Sequence, residues 1–283
     1  TFAAPNGVSL NVNVDAANTA TIVVGGYDGA TGSYDGGGML ETPRLSKTAG
    51  IGTGVLRFIH RDMDGLPFLP DVTGMEIIES TGPGRSMLQG RVVDGGVARA
   101  DVGTLVFAHR AAMSNLTAGA QVRGGNMVVS GSDLRVTGGG FSGSSVTSGT
   151  LSVVEGGAFT TGLVVSGNGV PASVVVDGAG SRLIARQSFA QIGYEGTQGT
   201  LEVRNQGQFL CDTSTTSLRI GGQAGSTGGV KIHSFGELRA DRISVGYQGQ
   251  GSIEVDNMGK ILGPTGGAAA SMFIGDQPGS RGF

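Results

Sequence analysis

Residues 192–208 read IGYEGTQGTLEVRNQGQ, and residues 245–260 read VGYQGQGSIEVDNMGK. With one residue dropped from the first, the two align: an apolar residue, Gly, Tyr, a Gly-rich turn, alternating apolar and polar residues, Asn, and Gly again. A chain that writes one pattern twice is repeating a structural unit. Further copies follow. Gly149-Thr150-Leu151-Ser152-Val153 and Gly229-Val230-Lys231-Ile232 are variants of its second half. The apolar residue ahead of the turn returns as Val165, Ile192, Ile220, Val245 and Ile274, in steps of 27, 28, 25 and 29. A period of that size that tolerates insertions belongs to a solenoid, because each coil has only to regain register at its strands.

Within each unit the pattern has period two. Leu201 and Val203 point one way, Glu202 and Arg204 the other; Ile253 and Val255 alternate likewise with Glu254 and Asp256. Such alternation marks a half-buried strand, and no window gives a helical stripe. One set of strands cannot hide its own apolar face. Stacked coils can, with main-chain hydrogen bonds running from coil to coil. Phe159, Phe209, Leu238 and Ile261 each follow a motif Gly by two residues and predict a buried ladder. Gly, Asn205 and Asn257 suit corners that need positive φ. The fold expected is all-β: a solenoid of stacked coils of short strands with a less regular N-terminal part. Residues 1–89 are expected to form irregular coils and loops, and residues 90–283 the regular repeats of one continuous solenoid. In the first part, Val8, Leu10, Val12 and Val14 alternate inward, 25–38 reads as a loop, and the two prolines of 61–71 mark a loop or insertion.

Composition narrows the function. Gly accounts for 55 of 283 residues, without the strict triplet of collagen. Net charge is -3 and only 14% of residues are charged, so nothing is positioned to neutralise phosphates and nucleic acid is not an expected partner. One cysteine, Cys211, excludes an internal disulfide framework. Scarce cysteine beside abundant Ser, Thr, Gly and Asn suits bacterial export. No apolar stretch reaches the roughly 18 residues of a transmembrane segment. The chain starts at Thr1, which implies a removed leader or a piece of a longer protein.

These motifs resemble the passenger domains of autotransporters, the type V secretion proteins of bacteria. The resemblance rests on LSKTAGIGTGVLRF (45–58), SVVVDGAGSRL (173–183), IGYEGTQGTLEV (192–203) and VGYQGQGSIEV (245–255). It is good over 149–280, fair over 90–148 and weak before. It implies a right-handed parallel β-helix, secreted or at the bacterial cell surface, with a structural or adhesive role. Surface glycans are the expected external partner.

Chemistry is sparsely written. His60, His109 and His233 fall in different repeat contexts, and none sits in a catalytic motif. Asp62-Met63-Asp64-Gly65 resembles the opening of a calcium loop. Position 12 of such a loop is Thr73, with Glu76 nearby, so Asp62 and Asp64 are either calcium ligands or an ordinary Asx turn. Asp177, Glu202, Glu254 and Asp256 read as outward strand positions that keep the surface solvated. Tyr194 and Tyr247 occupy equivalent corners, either by plain inheritance of the repeat or as an exposed stripe. No catalytic residue and no further cofactor are read. The expectation is a non-enzymatic, structural or adhesive extracellular β-helix. The alternative is a carbohydrate-active lyase or hydrolase with its site near residues 57–80. The last motif copy, Ile274–Ser280, stops before another strand. Either the coils continue in a longer protein, or the bare end docks on the Val8–Val14 strand of another copy, building filaments.

Overall fold

The structure is a computed structural model that describes residues 2–3, 9–15, 18–36, 38, 40–48, 50, 52–138, 143–167, 169–211, 216–264 and 270–283. Among these there is no helix; the chain is all strand and turn. The strands stack in parallel as a β-solenoid. Each coil presents three faces. In one coil the first face is Phe189–Ile192, the second Gln198–Arg204 and the third Gln208–Cys211. One coil on, Ser217–Ile220, Thr227–Ile232 and Glu237–Arg239 pair with them in parallel.

The steps read from the sequence are the register of the first face. Val165 pairs with Ile192, Ile192 with Ile220, Ile220 with Val245 and Val245 with Ile274. The ladder continues upstream through Val146, Val122, Ala100 and Ser80 to Phe58 and Val24. On the third face Phe159, Phe209, Leu238 and Ile261 share one ladder, with Leu183 between the first two. Phe159, Leu183, Phe209 and Leu238 are fully buried. Each such side chain contributes roughly 1.5–3 kcal/mol on leaving water. Leu201, Val203 and their partners Val230 and Ile232 fill the interior from the second face.

Two kinds of corner make the coils close. Gly193, Gly221, Gly246 and Gly275 end the first face at φ of 66–77°, a left-handed backbone that favours glycine. The corner from second to third face uses pairs of non-glycine residues in that same region. Asn205 and Gln206 lie at φ 51° and 67°, Ser234 and Phe235 at 51° and 66°, Asn257 and Met258 at 41° and 65°. The Gly after each pair is needed for a different reason: a Cβ on Gly236 would lie 2.2 Å from the Val203 carbonyl oxygen of the coil below.

The segment 61–71 differs from the sequence expectation of a loop. Leu66–Phe68 is a second-face strand and Asp71–Thr73 a third-face strand. Leu66 and Phe68 point inward while Pro67 is exposed between them. Among the described residues that strand pairs only with Ser86–Leu88, and such an edge position tolerates a proline. Within 25–38, Tyr27–Asp28 and Ser33–Tyr34 form an antiparallel hairpin rather than a plain loop. Leu10–Val12 pairs with Leu45–Lys47; Leu10 and Val12 are half-buried, Asn11 is exposed and Val14 is buried, while Val8 lies outside the described residues.

Candidate ligand-binding groove

The residues singled out by type do not gather in one place. His60 is buried at the corner between first and second faces. Its Nδ1 accepts the Asp62 N–H at 3.2 Å, which leaves Nε2–H to donate to the Ser86 hydroxyl at 2.8 Å. Burial pushes the imidazole below its ordinary pKa, against the opposing charge of Asp62. The site is tight: a Cβ on Gly84 would lie 2.4 Å from Nδ1. Asp62 is half-buried and Asp64 exposed. Glu76 is engaged elsewhere. Its carboxylate accepts from Lys47 Nζ at 2.5 Å and from the Gly54 N–H at 2.6 Å. Burial raises its pKa, but these donors outweigh that and hold it below the usual carboxylate range. A calcium loop here is left with Asp62 and Asp64. Among the described residues, no group of three or more His, Cys, Asp or Glu is arranged to hold a metal ion.

The outward carboxylates of the second face are paired rather than merely solvated. Arg204 Nε meets Asp177 at 3.0 Å, and its Nη1 meets Glu202 at 3.0 Å. His233 Nε2 lies 2.8 Å from Glu202, and Lys231 meets Glu254 at 3.0 Å. Burial raises the Glu202 pKa, yet the bond to His233 and the Arg204 charge hold it below the ordinary value. Every partner but Glu202–Arg204 lies on a neighbouring coil, so the signs alternate up the stack. On the first face Glu79 is buried, with Arg57 Nε at 2.6 Å and Arg99 Nη1 at 4.0 Å. Cys211 is buried, which pushes its thiol up to about 12 and leaves it no nucleophile at neutral pH.

The first face carries a groove along its outside. Its floor is the outward column Ser145, Val164, Gln191, Arg219, Ser244 and Phe273, each in register with the next. Three hollows follow one another. One of about 450 Å³ lies among Thr147, Ser148 and Thr197; one of about 350 Å³ lies over Val164 and Gln191; they share Ser166 and Glu195. The third, about 430 Å³, shares Phe189 with the second and extends over Arg219 to Arg242 and Gln277.

Arg219 stands at the centre of the third hollow. Its guanidinium lies 4.5 Å from the Phe189 ring centroid and 4.3 Å from that of Tyr247. One coil on, Arg242 stacks at 4.3 Å on Phe273 and pairs with Asp276 at 3.1 Å. Of the two readings of Tyr194 and Tyr247, the exposed stripe is not formed. Tyr194 and Tyr247 do occupy the same corner, but the intervening coil has Gly222 there, and both rings are half-buried. The Arg219 stack was missed in the sequence because its two rings come from the coils before and after. Compared with known protein families, curated proteins and solved structures, the chain matches none.

Proposed function

We propose that this chain is a non-catalytic, extracellular structural and adhesive solenoid of a bacterial surface, with the first face as its adhesive side. The observation that carries the reading is the run of three linked hollows along stacked strands. A groove that crosses several coils suits an extended polymer that touches each coil in turn. The strands beneath it share one continuous register, so contacts on successive coils are held at a fixed spacing of about 4.8 Å. Surface glycans fit this groove better than an apolar peptide, since hydroxyl and amide side chains dominate its lining. The autotransporter-passenger reading belongs here too, supported by the stacked coils and by the motifs quoted above.

The test immobilises the purified chain and measures retention of soluble polysaccharides, with the eluted polysaccharide analysed for chain length. Retention without shortening is expected. Release of new reducing ends or of unsaturated, ultraviolet-absorbing products would overturn the reading in favour of a carbohydrate-active enzyme. No retention of any polysaccharide would remove the adhesive role.

A further inference from the structure

We infer that the third hollow is a carboxylate-recognition site, and that the polymer held by the first face is an acidic polysaccharide bound through Arg219. This rests on the adhesive-groove reading and names its ligand chemistry. Among the described residues, the Arg219 guanidinium has no hydrogen-bond or ion-pair partner, although it is half-buried. Arg57, Arg99, Arg110, Arg123, Arg204 and Arg242 all sit against a carboxylate of this chain. Arg219 differs although Asp241 lines the same hollow.

The rings define how it can bind. With Phe189 and Tyr247 both in cation–π contact, the guanidinium still has its N–H groups to donate. They form a planar fork that matches a carboxylate in bidentate fashion. Contact with two rings restrains the fork in advance, so little side-chain freedom is lost on binding. At the position where the neighbouring coils carry Tyr194 and Tyr247, this coil has Gly222, where a Cβ would meet the Gly193 carbonyl oxygen at 3.2 Å and the Gln191 amide at 3.3 Å.

The remaining lining selects among carboxylates. Ser188 and Gln277 offer an exposed hydroxyl and amide, and Asp241 offers an acceptor for hydroxyls. An aliphatic acid would engage none of these, and a densely anionic chain would meet Asp241 and, further along, Glu195. A sugar acid suits both, with one carboxylate per residue and hydroxyls beside it. The ligand class is therefore a uronic-acid polysaccharide, its carboxylate on Arg219 and its hydroxyls toward Asp241, Ser188 and Gln277.

The probes are a hexameric oligogalacturonate, its methyl ester and a neutral hexaose, titrated calorimetrically into the full chain and into Arg219→Gln and Arg219→Lys variants. The acid form is expected to bind at least tenfold more tightly than its methyl ester, and more weakly at high salt. Both variants are expected to lose that preference, since Lys keeps the charge but not the fork. The ester comparison on the unaltered chain needs no variant to fold. Equal binding of acid and ester, or an unchanged acid preference in Arg219→Gln, overturns the inference. Tight binding of the neutral hexaose with no acid preference overturns it while leaving the adhesive groove standing. Tighter binding of a Glu-rich peptide than of the oligogalacturonate assigns the site to protein and also overturns it. Binding of no probe, together with no retention of any polysaccharide, removes both readings.

Discussion

Phe209 shows how much one residue carries in a stacked fold. It is fully buried, with Leu183 in register below and Leu238 above. Phe209→Ala would leave a cavity between two coils that the backbone hydrogen bonds keep from closing. A loss on the order of 3–5 kcal/mol is expected in denaturant unfolding. A midpoint unchanged from the parent would show that the ladder is not load sharing in this way. Phe235 makes the opposite case. It is 54% exposed and holds φ at 66°. A non-glycine residue in that region costs roughly 1–2 kcal/mol, of which glycine's greater freedom in the unfolded chain returns about half. Phe235→Gly should therefore raise stability by up to about 1 kcal/mol. A clear destabilisation would mean that the exposed ring makes contacts which outweigh the backbone strain. Phe209 was legible in the sequence because it follows its motif Gly by two residues. Leu183 breaks that spacing, since Ser181 stands where the other coils have their Gly, and only the strand register places it in the ladder.

The corner that holds His60 is the element most sensitive to acid. Its ring is enclosed by the glycines of the next coil and its Nδ1 accepts the Asp62 N–H, a bond that needs the neutral form. Burial lowers its pKa in the folded chain, while the unfolded chain takes up the proton near the ordinary value of 6.5. Between the two values the unfolded state binds more protons, so acidification favours it. Stability should hold above about pH 6.5 and fall as pH drops from there toward the lowered folded value. Melting temperatures from pH 8 to 5 would show the slope, and His60→Gln should flatten it relative to the parent. A slope untouched by that substitution would locate the titration elsewhere. The carboxylates Glu76 and Glu202 act lower, since their depressed values matter only below the usual carboxylate range. In the sequence, His60 stands just two residues before the Asp62–Asp64 loop. What the spacing could not show is that the chain turns inward at His60, sending the imidazole to the core and leaving Asp64 in solvent. The Arg219 stack was hidden for a related reason: contacts between coils join residues a full turn apart, and only the apolar columns advertise that period.

At the scale of the molecule, a solenoid has no central core, only a succession of interfaces between neighbouring coils. Legibility followed from this. Repetition exposed the stacking and the first-face register from Val165 to Ile274, where every coil obeys the same rule. It failed at 61–71, where prolines suggested a break but Leu66 and Phe68 still met their ladders. The same one-dimensional order makes a prediction about coupling. Ile192 and Ile220 are buried and adjacent in one ladder, so a cavity made at one changes the packing around the other. Val122 lies in that ladder four steps below Ile220, through Val146, Val165 and Ile192. At about 4.8 Å per step that is roughly 19 Å, beyond the reach of direct packing. A double-mutant cycle of Ile192→Ala with Ile220→Ala should therefore show a coupling of about 0.5–3 kcal/mol. The cycle of Val122→Ala with Ile220→Ala should be additive to within about 0.5 kcal/mol. Equal coupling in both cycles would mean that the coils respond as one body, and that stability here is not transmitted from neighbour to neighbour.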